Sequence, residues 1–526
     1  MQIFSDGIQA LSQNWVLILG ATLMLSLNFL FSIKTKQEVS LKITLALFFS
    51  ASLLLRLAYL QDIYLPPYFD SVEHLRIINA LLDGWNSHTL LDSISNASPT
   101  YYHLGYHLLA SLLTLILGAK TPNVMLVFGQ VVLAFIPIPV LLLIWQKTKD
   151  LPSALFAALL AGFGWYMPAF AVNWGKYPAL LGILFFEILL LNFQQDKKRN
   201  IFAKILIFFG ILIATIIHTR VLILILIAYT SWIFAKEITN FSTGKKNSIL
   251  RILLFSIFIY LLSIQEDPLL KLTLEPYLNN TSLLILVLSP FAFKKYLRET
   301  YFTLFFILFL LVTLFIPTAW ALPQFPDQTL LDRPFVEMIL FFPLALLGGF
   351  SLAGLAHTLR DISRPYAQMQ DKSQVTRNAL FFTFVLLFGF FTLKSYDFYP
   401  SACCDFVGYD DTLAFDWIAR NLPEDTLILI AGNQLNVVPN TTASSLVASD
   451  AGIWITPLTG RKSIMLSHHL DFSSQEIFDQ LCEKEIDYIY LDNTSQSFKY
   501  SPLDKKPDWY KKTLILPSIS IYQLRN

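Results

Sequence analysis

Residues 122–171 read PNVMLVFGQVVLAFIPIPVLLLIWQKTKDLPSALFAALLAGFGWYMPAFA, two long apolar runs joined by the basic turn Gln146-Lys147-Thr148-Lys149-Asp150. A hydrocarbon core of about 30 Å takes ~20 apolar helical residues at ~1.5 Å each, so each run is long enough to span a bilayer. Similar runs lie near 15–33, 43–61, 178–193, 201–217, 220–235, 250–264, 280–293, 300–318, 335–358 and 379–394. With the first two they predict twelve spans, those at 250 and 280 being short. A further stretch, Leu104–Gly118, is short and opens with Gly105 and His107, which predicts a half-inserted helix. Composition agrees: of 526 residues 55% are hydrophobic and 14% charged, far from a soluble globular chain. A net charge of +1 supplies no global field for nucleic acid.

Basic residues in short loops mark the cytoplasmic side. Loops 34–42, 146–150, 194–200, 236–251, 294–299 and 359–377 together carry nineteen Lys or Arg. The alternate loops are sparse, with Arg76, Lys176, Arg220, Lys271 and Arg333. The alternation holds only if 104–118 does not cross. It then places outside the cytoplasm both the loop 62–103 and everything after Lys394. The expected division is a transmembrane domain at 1–394 and a small extracytoplasmic α/β domain at 395–526. In the latter, Asp411–Asn421 is amphipathic, TLILIAG is a buried strand, EIFDQLCEKE is helical and IDYIYLD is another strand. The ending TLILPSISIYQL alternates like a hairpin or edge strand, and no Gly-rich phosphate loop is present. One of Cys403 and Cys404 is expected to pair with Cys482 if any bridge forms, because adjacent cysteines rarely bond to each other.

The outer loop contains PPYFDSVEHLRIINALLDGW, where two prolines end the preceding span and a helix begins around Asp70. Asp70, Glu73 and His74 have i, i+3, i+4 spacing and would share one helical face at the membrane surface. A carboxylate there can take a proton from an acceptor hydroxyl, and Glu73 with His74 can orient that acceptor or hold a divalent metal. The competing structural reading makes Asp70 an N-cap and Glu73 its capping-box partner.

The order of these features resembles the GT-C superfamily of polytopic membrane glycosyltransferases, of the protein mannosyltransferase and lipid A aminoarabinose transferase type. The matching segments are Phe69-Asp70-Ser71-Val72-Glu73-His74 after an early span, the apolar element Pro99–Ala110 with His107 inside it, and Arg420-Asn421-Leu422-Pro423-Glu424-Asp425 opening the C-terminal domain. The resemblance implies a GT-C-like helical membrane fold and sugar transfer from a polyprenyl-phosphate donor to a glycan, lipid or protein acceptor. Asp70 would be the base. Relatives often carry a second acidic motif in the next outer loop, and here that loop is Val172–Pro178 with no carboxylate. Relatives also usually have a single span before the acidic loop.

Lys176 in the loop 172–178 can bind the donor's phosphate without a metal, with a snorkelling interfacial lysine as the alternative. His218 and Arg220, at a junction of spans, can share that phosphate. Asp332-Arg333-Pro334 precedes another span, where Arg333 is a donor-phosphate candidate and Asp332, like His107, a substrate-binding one; an internal ion pair is the alternative. Glu187 lies mid-span and receives no role. Ser449–Trp454 followed by Arg461 is a structural turn or an acceptor contact, the tryptophan looking exposed. Two other classes stand beside transfer: a transporter or flippase, and a GT-C-like protein that only binds lipid or sugar.

Overall fold

The computed structural model describes residues 37–61, 63–87, 89, 94, 103–193, 201–240, 267–320, 329–363, 370–435 and 445–525. Its N-terminal part is helical: α1 Gln37–Leu57, α2 Phe69–Asn86, α3 Gly105–Leu117, α4 Thr121–Phe135, α5 Pro137–Thr148, α6 Leu151–Phe163, α7 Tyr177–Phe193 and α8 Ile201–Ile217. There follow α9 Arg220–Asn240, α10 Pro268–Leu274, α11 Asn280–Lys295, α12 Leu297–Val312, α13 Arg333–Ile339, α14 Phe341–Ser363 and α15 Gln370–Lys394. Among the described residues five helical stretches are long and apolar enough to cross a membrane: Val39–Leu60, Thr121–Thr148, Arg220–Asn240, Leu297–Phe315 and Arg333–Asp361. The chain is an integral membrane protein.

Apolar helices at Gly105–Leu117, Leu151–Phe163, Tyr177–Asn192, Lys204–Ile217 and Ala379–Lys394 are shorter than a full span. Of the twelve expected spans, 15–33 and 250–264 lie outside the described residues. The one expected over 151–171 ends as a helix at Phe163, and the chain runs on through Gly164–Pro168 into a short 3-10 segment, Ala169–Val172. That break shapes the site below.

The bundle closes around small residues. Ala154, Ala157, Ala158 and Ala161 on α6 are fully buried. Gly349 of α14 has no room for a side chain, since a Cβ there would meet Ala157 Cβ and Ile144 Cγ1 at 2.8 Å. Without side chains in the way, backbones approach closely and dispersion replaces the hydrophobic drive that lipid cannot supply. Outward-facing positions are correspondingly apolar: Phe202, Phe208 and Leu206 on α8 are exposed on the protein surface. On α3 the buried face carries Tyr106, His107, Ala110, Ser111 and Thr114, while Leu112, Leu115, Ile116 and Leu117 face out. That inversion suits a helix whose polar face packs on protein and whose leucines meet lipid.

After α15, helix α16 (Tyr409–Asn421) leads into a six-stranded sheet of β1 Leu427–Leu435, β2 Ser445–Ala448, β3 Lys462–Ser467, β4 Tyr488–Asp492, β5 Tyr510–Ile515 and β6 Ile519–Leu524. β1 pairs in parallel with β3 and β4 and antiparallel with β2, and β6 joins β4 and β5 antiparallel. The strands expected at TLILIAG and IDYIYLD are β1 and β4, and the terminal hairpin is β5–β6. Cys403 and Cys404 bond to each other, whereas Cys482 keeps its thiol. This corrects the expected pairing with Cys482, which lies on the separate helix Gln475–Glu483. Trp454, expected to be exposed, is completely buried. Arg461 is spent on the carbonyls of Ala419, Leu422 and Thr459, which makes that segment a structural turn.

Candidate functional site

Helix α2 starts at Phe69, with Tyr68 as its N-cap at φ 68° and no side-chain cap. Asp70 is therefore inside the first turn and is not the cap. Its carboxylate reaches out of the helix to the Lys176 ammonium, on the loop between α6 and α7. The approach depends on Gly175, whose φ is +64° and where a Cβ would stand 2.6 Å from Ser71 Oγ and 3.3 Å from Asp70 Cβ. Asp70 is 23% and Lys176 35% exposed, so the pair is open to water and to a ligand.

Glu73 does not join this pair. It turns to Arg76 on its own helix, with contacts of 2.7 and 2.9 Å at a solvent-exposed position. His74 points the other way, into protein, where its Nδ1 lies 3.0 Å from His107 Nε2 on α3. The single face expected for Asp70, Glu73 and His74 is thus split, because α2 is held between two packed surfaces and i, i+3 and i+4 positions fan over a wide arc. Burial pushes the His74 imidazole down to about 4, against the pull of the Asp70 carboxylate. Among the described residues no group of three His, Cys, Asp or Glu is placed to hold a metal ion.

The remaining candidates gather beside this pair. His218, buried between α8 and α9, stacks on Phe335 at 5.1 Å and lies 4.1 Å from the ring of His103. Burial drives both imidazoles down, His103 to about 4, and each also feels the Arg220 charge. Arg220 pairs with Asp332 at 2.7 Å and sits 5.6 Å over the same Phe335 ring. Asp332 also caps α13, its Oδ1 accepting from Phe335 N–H at 3.0 Å. Arg333 pairs with the buried Glu337 at 2.9 Å, and the Tyr166 hydroxyl donates to the same carboxylate. The expected ion pair within Asp332-Arg333 is therefore two pairs, each with a partner elsewhere.

Residues from α2, α3, the loop before α7, the α8–α9 junction and α13 thus form one patch of cations, carboxylates and neutral imidazoles. His103 and Glu337 were not read from the sequence; a histidine or glutamate at the end of an apolar run was the available signal.

Beside the patch lies a cavity of about 480 Å³. The loop that presents Lys176 forms part of its wall: Asn173 accepts from the Tyr59 hydroxyl at 3.0 Å and from Ser401 N–H at 2.8 Å. The C-terminal segment also ties to the start of α2, Tyr68 N–H donating to Cys404 O at 2.9 Å.

Residues 37–264 match a family described as a family of unknown function, DUF6541. No curated protein matches. Among solved structures, the chain is similar to the cryo-EM structure of the arabinofuranosyltransferase AftD from Mycobacteria, at 12% identity and a TM-score of 0.48. The match covers 92% of this chain and 40% of that one, so the chain spans well under half the length of its structural neighbour.

Proposed function

We propose that this chain is a membrane glycosyltransferase that moves a sugar from a polyprenyl-phosphate donor to an acceptor hydroxyl on the extracytoplasmic face. The observation that carries the reading is the joining of Asp70 and Lys176 from distant segments, next to Arg220 and Arg333. A base and a set of cations on one patch are what glycosyl transfer from a lipid phosphate needs. The acceptor oxygen would attack the anomeric carbon and give its proton to Asp70. The bond from that carbon to the phosphate oxygen breaks as the new glycosidic bond forms, and polyprenyl phosphate leaves with its developing charge met by Lys176 and Arg220. Neutral His74 and His107 pack behind Asp70 and hold α2 on α3, a positioning role. Glu73, paired with Arg76 at the surface, is left without one.

The test uses the purified chain in liposomes with polyprenyl-phosphate-linked hexoses and pentoses, following release of polyprenyl phosphate in the presence of glycan acceptors. Asp70→Asn keeps the size of the side chain and removes the base. Release should fall about 10²- to 10⁴-fold with an unchanged melting temperature. Wild-type rates in a folded Asp70→Asn protein would return Asp70 to a structural ion pair.

A further inference from the structure

The cavity beside the patch has polar groups with no hydrogen-bond partner among the described residues. Gln130 on α4 is 1% exposed and lines it, and neither the oxygen nor the nitrogen of its carboxamide has a hydrogen-bond partner among the described residues. A buried amide left unpaired on both sides is costly, and native structures rarely keep one without a ligand, ion or water to satisfy it. Arg56 on α1 lines the same space and is 3% exposed. Its two terminal nitrogens are committed to the Tyr396 hydroxyl and to Gly162 O, and its plane lies 4.7 and 5.0 Å from the Phe163 and Tyr396 rings. Its Nε–H has no partner among the described residues, and each terminal nitrogen keeps a second N–H beyond the one it has given. Trp165, Tyr166 and Phe170 add apolar faces to the wall.

We propose that this cavity binds an uncharged sugar ring. A ring of that kind has an apolar C–H face for the aromatic wall and a rim of vicinal hydroxyls. One hydroxyl can donate to the Gln130 oxygen while its neighbour accepts from the Gln130 nitrogen, which satisfies both ends of the amide. A hydrocarbon tail would leave the amide unpaired. A fully ionised phosphate has no O–H to give the Gln130 oxygen and would leave that end of the amide unpaired. The volume falls within the ordinary range for small-molecule sites. Asn173 joins this cavity to the loop that presents Lys176, so a sugar held here sits next to the proposed transfer site. The binding itself does not rest on Asp70 acting as a base.

The experiment titrates the full chain, in a detergent without a sugar headgroup, with methyl glucoside, methyl mannoside and methyl galactoside, with glucose 6-phosphate and inorganic phosphate as comparison. Tryptophan fluorescence reports, since Trp165 is on the wall. A saturable change with at least one methyl glycoside is expected. Gln130→Leu should weaken it at least tenfold while the ligand-free protein melts at the same or a higher temperature, because an unpaired amide has been replaced by a hydrocarbon of similar size. A lower melting temperature in Gln130→Leu would mean that the protein already uses the amide, and would overturn the proposal. So would equal binding in both proteins, no saturable response to any methyl glycoside, or a response to the phosphorylated probes alone. Because no turnover is read, sugar binding that survives while Asp70→Asn leaves transfer untouched would separate this inference from the catalytic one.

Discussion

At the scale of single residues, Lys176 decides most. Its pair with Asp70 is partly exposed, so its removal should shift the melting temperature little, the usual worth of such a pair being about 0–1 kcal/mol. A charge-assisted bond to the donor's phosphate is worth more. Lys176→Gln should therefore lower kcat/KM for the lipid donor roughly 10- to 100-fold, in keeping with about 1.5–3 kcal/mol for a hydrogen bond to a charged group, and leave acceptor KM unchanged. An equal loss against both substrates would argue that Lys176 merely shapes the site. Lys176 stood out in the sequence as a cation in a loop sparse in basic residues; that it meets Asp70 was not legible, because the two lie on distant segments. The misplacement of Glu73 had a different cause: helical spacing gives relative direction along α2 but not which side of α2 is buried, and His74 going inward sends Glu73 to Arg76.

At the scale of elements, the turn between α6 and α7 carries the site, and Gly175 is its tightest point. Gly175→Ala would force a side chain at φ +64° into Ser71, costing about 1–3 kcal/mol in strain and overpacking. Melting should drop accordingly. Transfer should fall further, on the order of 10²-fold, since displacement of about 1 Å near reacting groups has that effect; activity that follows stability alone would deny Gly175 a part in the site. Hydropathy predicted the helices well where runs were long, as for α4, α5 and α14. It could not show that α6 ends at Phe163, because a broken span and an intact one have nearly the same composition. β1, β4 and the terminal hairpin were legible from alternation and short apolar runs, whereas β2, only Ser445–Ala448, is too short to show a period. Gln130 and Arg56 passed unread inside apolar runs. A lone polar group in a span was the signal, and its meaning depends on the cavity that only the packed bundle reveals.

At the scale of the whole molecule, two buried ionisable sets oppose each other across pH. In the C-terminal sheet, burial raises Asp411 to about 6, Asp450 to about 7 and Asp492 to about 8. These carboxyls favour the fold fully below their unfolded values near 4, and that contribution is lost progressively as pH rises from there through 6, 7 and 8. His74, pushed down to about 4, acts in reverse: its contribution is present above about 6.5 and is lost as pH falls towards 4. Above about pH 6.5 the imidazole is neutral folded and unfolded while Asp450 and Asp492 are still giving up protons in the fold, so stability of the full chain should fall from pH 6.5 to 8, checked by thermal melts from pH 5 to 9. Asp450 accepts from Gly452 N–H on one oxygen and from the Ser497 hydroxyl on the other; asparagine keeps the first and can reverse the second, its amide nitrogen donating to Ser497 Oγ. Asp450→Asn should flatten the alkaline side of the profile and raise the melting temperature at pH 8; an unchanged alkaline slope would assign it to other groups. The sheet reaches the site directly, for the turn Ala451–Trp454 packs on α2, the helix that presents Asp70. The Asp70–Lys176 clasp also bears on timing. While Lys176 holds the carboxylate, a water molecule beside Asp70 meets a base whose charge is already shared with an ammonium. A donor whose phosphate draws Lys176 away would release the base only once the sugar is in place, so the order of arrival itself would guard the activated lipid against futile hydrolysis.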